Sequence, residues 1–125
     1  MQRVVLIDDD LEDLELIEEA IKIVNPSAEC IPFFDACEAL EYLMSHDLPD
    51  VVIIDLNMPN ISGVECMEQL RNHPKFATLV LVVNSSALPA NEIMETIVAL
   101  GGVFLQKPST LHELNDVIHG IMNRP

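Results

Sequence analysis

Apolar positions follow two rhythms along this chain. Val4-Val5-Leu6-Ile7, Val51-Val52-Ile53-Ile54 and Leu79-Val80-Leu81-Val82-Val83 are short, unbroken and rich in β-branched residues. A strand with one buried face alternates apolar and polar residues, so unbroken runs of this length point to strands covered on both faces, as in a parallel sheet between helical layers. Two weaker runs, Cys30 to Phe34 and Val103 to Leu105, complete a set of five strands. Between the runs the spacing becomes helical, with Leu14, Ile17, Ile21 and Val24 forming one stripe and Leu111, Leu114, Ile118 and Ile121 another. Asp35 with Glu38, Ser62 with Glu65 and Thr110 with Glu113 have the spacing of a capping box or its Asp variant, which starts helices near Ala36, Gly63 and Leu111. A further helix is expected from about Ala90 to Leu100, ending at Gly101-Gly102, a pair suited to a left-handed C-terminal turn.

Strand and helix therefore alternate through five βα units. Right-handed crossovers turn that order into an open, doubly wound α/β sandwich of the flavodoxin-like kind, with a parallel sheet of order 2-1-3-4-5. No linker, low-complexity tract or repeat interrupts it, so residues 1–125 read as a single domain with no output domain attached. In such a sheet ligands bind beyond the carboxyl ends of the strands, at the switch point between strands one and three.

Composition narrows the partners. Acidic residues number 21 against 6 basic, a formal charge of −15, which opposes direct binding to nucleic acid or an anionic membrane. The opening MQRVVLIDDD offers four apolar residues in a row before three aspartates, too few for a signal-peptide core or a membrane span, so a cytoplasmic location is expected. Cys30, Cys37 and Cys66 form no C-x-x-C pair and read as small buried or half-buried residues. His46, His73, His112 and His119 lack metal-ligand spacing and read as surface residues.

The chemistry collects at the strand ends. Strand one closes on Asp8-Asp9-Asp10 and strand three on Asp55-Leu56-Asn57. Two like charges about 4 Å apart repel by about 4 kcal/mol at an effective dielectric near 20, so the cluster implies a cation. An all-oxygen donor set with room for water and phosphate suits Mg²⁺, not zinc. Asp10 is better read as the cap of the following helix. Capping does not explain acid at both central strand ends. Lys107 is the one basic residue that closes an apolar strand, and Pro108 can fix the turn that aims it at the acids; an ordinary surface lysine is the alternative. Asn84-Ser85-Ser86 ends strand four, where Ser85 can either donate to an incoming phosphoryl oxygen or serve as a loop or cap residue.

These residues resemble, over essentially the whole chain, the receiver domain of bacterial response regulators. Asp8 and Asp9 match the family's metal-binding acidic pair, and Asp55 opens its D-x-x-M-P-x-x-x-G stretch, here Asp55-Leu56-Asn57-Met58-Pro59-Asn60-Ile61-Ser62-Gly63. The resemblance implies that Asp55 is the phosphoacceptor, that Asp8, Asp9, Asp55 and the Asn57 backbone carbonyl hold Mg²⁺, with Mn²⁺ able to substitute, and that Lys107 and Ser85 contact the phosphoryl group. It further implies a cis Lys107-Pro108 peptide and a switch pair of Ser85 and Phe104, the latter often Tyr in the family. Asn57 and Ala87 are implied to flank the water that resets the site. Asn84 and Gly102 depart from the family pattern.

The reaction so implied is attack by the Asp55 carboxylate on a phosphohistidine of a sensor histidine kinase or phosphotransfer protein. The output is altered binding to a downstream protein target, with a homodimer on phosphorylation compatible with it. Ile93, Met94, Ile97 and Val98 are candidates for that surface or for core and edge, and Glu12, Glu15, Glu18 and Glu19 for a kinase-facing or simply solvated face. The chain is expected to be a phosphoacceptor, not an enzyme acting on other molecules, whether it stands alone or was cut from a larger regulator or hybrid kinase. A pseudo-receiver would lack the acceptor, the acidic pair or the lysine, and all are present. A haloacid-dehalogenase-like phosphatase would have Asp where Asn57 stands. A flavodoxin-like electron carrier would have a Gly, Ser and Thr-rich loop where the first acids stand.

Overall fold

The computed structural model describes residues 2–107 and 111–122. Strands β1 (Arg3–Ile7), β2 (Glu29–Phe33), β3 (Val51–Asp55), β4 (Val80–Ser85) and β5 (Val103–Gln106) alternate with helices α1 (Leu11–Val24), α2 (Ala36–Ser45), α3 (Gly63–Arg71), α4 (Asn91–Ala99) and α5 (Leu111–Met122). A short 3-10 turn, Pro74–Phe76, follows α3. All strand pairs are parallel and the order is β2-β1-β3-β4-β5, as the alternation of rhythms predicts.

Parity along each strand assigns the two faces. Val4, Leu6, Val51, Ile53 and Val82 pack with Leu14, Ile17 and Ile21 of α1 and Ile118 and Ile121 of α5. Their neighbours Val5, Ile7, Val52, Ile54, Leu81 and Val83 pack with Leu43 of α2, Met67 and Leu70 of α3 and Ile97 of α4. Both faces are thus buried, which is why these strands carry no polar alternation until their carboxyl ends. Pro32 is tolerated because β2 is an edge strand. Among the described residues no helix is long and apolar enough to cross a membrane.

Local chemistry starts the helices where the capping pattern indicates. Asp35 accepts from the Cys37 and Glu38 amides, and Ser62 accepts from the Glu65 amide. Thr110 lies outside the described residues. Gly101 has φ +71° and ends α4 as expected. Arg71, at the end of α3, donates to the Leu100 and Phe76 carbonyls, each at 2.7 Å, and so fixes the far end of α4.

Several expectations shift. β2 begins at Glu29 and ends at Phe33, because the Glu29 amide pairs with the Gln2 carbonyl, and Phe34 is exposed beyond it. β5 runs on to Gln106. Cys37 is exposed rather than covered, since α2 turns Ala36, Ala39 and Leu43 inward. His73 is half-buried, not superficial: its Nδ1 accepts from the Lys75 amide and caps the 3-10 turn. Ile97 is wholly buried, while Ile93 and Val98 on the same helix are exposed.

Candidate functional site

The carboxyl ends of β1 and β3 lie side by side because β1 pairs directly with β3, Ile7 opposite Ile54. That register brings Asp8, Asp9 and Asp55 together, with one carboxylate oxygen from each lying within 4.8 Å of the others. Asp8 and Asp55 are buried and Asp9 is exposed. Asp10 does what its position suggests: as N-cap of α1 it accepts from the Glu12 and Asp13 amides. Its own amide donates to Asp8 Oδ1 at 2.9 Å, which fixes the Asp8 carboxylate.

Lys107 crosses from the end of β5 into this cluster. Its Nζ lies 3.1 Å from Asp8, 3.5 Å from Asp55 and 2.7 Å from Asp13. Burial pushes the Asp8 carboxyl up to about 6, against the opposing pull of the Asp10 amide and of Lys107. Burial raises Asp55 as well, opposed by Lys107 and the Asn57 amide. For Lys107 burial pulls the ammonium down, yet the hydrogen bond to Asp13 and the charges of Asp8 and Asp55 together hold it above the ordinary lysine range. One ammonium thus faces three carboxylates, two of them resisting ionisation, with the exposed Asp9 carboxylate beside them. A hard, oxygen-seeking divalent cation fits this donor set.

Asp13 is the residue that sequence reasoning missed. It lies four positions before buried Ile17, on the inward stripe of α1, and that spacing was the available signal.

Ser85, the last residue of β4, is buried, and its hydroxyl accepts from Asn57 Nδ2 at 3.1 Å and from the Ala87 amide at 3.3 Å. The Lys107 amide donates to the Ser85 carbonyl at 2.7 Å, tying the two strand ends together. Asn57 and Ala87 are exposed on either side of this edge. Phe104 pairs in register with Val83 and is half-buried against the core shared by α2, α3 and α4. Pro108 and its peptide bond with Lys107 lie outside the described residues.

The loop after Asp55 is tightly held. The Gly63 amide donates to the Leu56 carbonyl at 2.9 Å, and a Cβ on Gly63 would stand 2.7 Å from the Asp55 carbonyl oxygen. Asn60 takes a positive φ of 71° in the same loop, a conformation asparagine tolerates better than most residues. Gly102, at another departure from the family pattern, leaves room for the Met67 side chain.

Residues 4–119 match the family model of the response regulator receiver domain. The chain belongs to that family. As a receiver domain of two-component response regulators, it has the phosphorylation switch as its family's general function, and response regulators interact with histidine kinases and downstream targets. The receiver is 29% identical over 124 residues to the glycerol metabolism activator of Pseudomonas putida, covering 98% of this chain and 55% of that protein. It is 30% identical over 113 residues to the uncharacterized transcriptional regulatory protein YrkP of Bacillus subtilis, covering 90% of this chain and 46% of that protein. The chain therefore spans about half the length of these curated relatives. In fold it matches the phosphorylated cyanobacterial phytochrome response regulator RcpA, with a TM-score of 0.85 at 24% identity, covering 96% of this chain and 90% of that one. The Mn²⁺-bound response regulator Rcp1 matches with a TM-score of 0.83 at 22% identity, covering 97% of this chain and 91% of that one.

Proposed function

We propose that this receiver accepts a phosphoryl group on Asp55 from a phosphohistidine of a sensor histidine kinase or phosphotransfer protein. The observation that carries the reading is the buried Asp55 carboxylate at the central switch point, with Lys107 at 3.5 Å and Asp8 and Asp9 beside it. In the reaction an Asp55 carboxylate oxygen attacks phosphorus, the phosphorus–nitrogen bond of the donor breaks, and an acyl phosphate forms. Lys107 moves from neutralising carboxylates to neutralising phosphoryl oxygens, a positioning and electrostatic role of the kind phosphoryl transfer chiefly needs. Asp8, Asp9, Asp55 and the Asn57 backbone carbonyl are the groups to hold Mg²⁺, or Mn²⁺ in its place. When bound, that ion supplies further charge neutralisation at the phosphoryl oxygens. The raised carboxyls of Asp8 and Asp55 support this assignment, because a cation relieves the repulsion that burial intensifies.

Ser85 is the switch hydroxyl in this reading. Drawn to a phosphoryl oxygen, it gives up the hydrogen bond from Asn57, and Phe104 turns further inward as β4 adjusts. The change reaches the exposed face of α4, β5 and α5, where a downstream protein or a second copy of the receiver binds. Asn57 and Ala87 flank the path of the water that later hydrolyses the acyl phosphate.

Intact mass after incubation with acetyl phosphate, with and without Mg²⁺, tests the reading on this protein and on Asp55→Asn. The expected result is a Mg²⁺-dependent gain of one phosphoryl group, absent in the variant and labile to hydroxylamine. No gain with Mg²⁺, or an equal gain in Asp55→Asn, overturns it.

A further inference from the structure

A cavity of about 60 Å³ lies between α1, α5 and the sheet. Its walls are aliphatic, from Leu16 and Ile17 of α1, Leu105 of β5 and Ile118 of α5. Leu16 is 45% exposed, so the cavity opens towards solvent on the α1 side. It adjoins the carboxylate site through Asp13 and Lys107, which line it as well.

One wall residue is out of character. Val80 and Val82 of β4 pack towards α1 and α5, and strand parity puts the next residue of that row, Asn84, on the same face. A third valine would complete the apolar surface. The amide that stands there is 6% exposed, and its Oδ1 accepts from no donor among the described residues. A buried acceptor is ordinarily paired, so an unpaired one on a cavity wall marks where a hydrogen-bond donor belongs.

We propose that this cavity is a second binding site, for a small neutral molecule that carries one hydroxyl or N–H donor on a short aliphatic body. The donor is set by Asn84 Oδ1. Neutrality follows from the aliphatic walls, against which an ion would lose its hydration, and from the Asp13–Lys107 pair at 2.7 Å, whose charges already answer each other. Size follows from volume. A cavity that takes benzene measures about 150 Å³ and a water occupies about 30 Å³ in the liquid, so this one encloses about two heavy atoms, leaves the rest of a three- or four-atom body at the open mouth beside Leu16, and excludes an aromatic ring.

The test is an amide NMR titration of the full chain with 2-propanol and with acetone, which share a carbon skeleton but differ in having a donor. Saturable shifts confined to Ile17, Asn84, Leu105, Lys107 and Ile118 are expected with 2-propanol, and binding of acetone weaker on the order of tenfold, the loss of one buried hydrogen bond. Asn84→Val removes the preference for the alcohol. Val117→Phe leaves the acceptor in place, fills the space between the helices and abolishes binding of both probes. A crystal soaked in 2-propanol shows its hydroxyl against Asn84. Linear shifts without saturation, equal affinity for the two probes, an unchanged preference in Asn84→Val, or water alone against Asn84 overturns the proposal. None of these readouts depends on phosphorylation.

Discussion

Asn57 Nδ2 donates to the Ser85 hydroxyl across 3.1 Å and so bridges the loop after β3 to the end of β4. The contact holds the hydroxyl in place, and it competes with the movement proposed for Ser85 on phosphorylation. A neutral hydrogen bond at this partly exposed place contributes about 0.5–1.5 kcal/mol, which corresponds to about a 2- to 13-fold change in an equilibrium. Asn57→Ala is therefore expected to raise the population of the switched state in the unphosphorylated protein by that factor. Relaxation-dispersion NMR at Ser85 and Phe104 measures it. An unchanged population would mean that the Ala87 amide alone holds the hydroxyl.

Asp13→Asn releases Lys107 from its nearest carboxylate. The pair is partly exposed on the Asp13 side, so its loss costs only about 0.5–1 kcal/mol of stability, seen as a lower urea midpoint. Lys107 then turns wholly to Asp8 and Asp55, and the initial rate of phosphoryl uptake from acetyl phosphate rises by about threefold, equivalent to about 0.7 kcal/mol of barrier. A slower uptake would show that Asp13 instead holds the ammonium in its working position.

The raised carboxyls give the metal-free protein a definite pH dependence. Asp8 moves from an ordinary value of 3.8 to about 6, and Asp55 moves in the same direction. Between about pH 4 and pH 6 the native state binds more protons than the unfolded chain, so stability falls as pH rises through that window and levels off above it. The drop expected from Asp8 is roughly 1–3 kcal/mol. Urea midpoints measured in EDTA at pH 4.5, 6 and 7.5 check the sign, and Asp8→Asn flattens the curve. Mg²⁺ added at pH 7.5 raises the midpoint, and the gain shrinks below pH 6 as the carboxyls take up protons.

Two glycines separate backbone space from helix propensity. A Cβ at Gly63 would press on the Asp55 carbonyl and the Leu56 Cα, both backbone atoms, whereas one at Gly120 on α5 meets nothing within 4 Å. Gly63→Ala is expected to cost about 2 kcal/mol or more and to lower phosphoryl uptake by displacing Asp55. Gly120→Ala is expected to stabilise by about 0.5–1 kcal/mol. Thermal melts of the two variants side by side decide it.

What the sequence revealed followed physical locality. The unbroken runs at Val4, Val51 and Leu79 betrayed strands buried on both faces, and Asp35 and Ser62 marked helix starts because a cap acts within three residues of itself. The meeting of Asp8, Asp9 and Asp55 could be read because strand order alone brings the ends of β1 and β3 together. Features that depend on rotation about a helix axis were less accessible. Asp13 looks like one more first-turn acid until α1 packs and turns it towards Lys107, and Cys37 looks coverable until α2 turns Ala36 and Ala39 inward. Gly102 makes sense only beside Met67, a neighbour distant in sequence. The slip of β2 by one residue arose at an edge strand, where exposure blurs the pattern.

The 2.7 Å bond from the Lys107 amide to the Ser85 carbonyl makes mechanical partners of the two residues proposed to grip a phosphoryl group. The bond fixes the ends of β4 and β5 against each other, so the roots of the two side chains keep one spacing while ammonium and hydroxyl turn about their own bonds. On the proposed reading, an incoming phosphoryl group would meet both side chains anchored at a set distance, the joined strand ends serving as a ruler and not as moving parts.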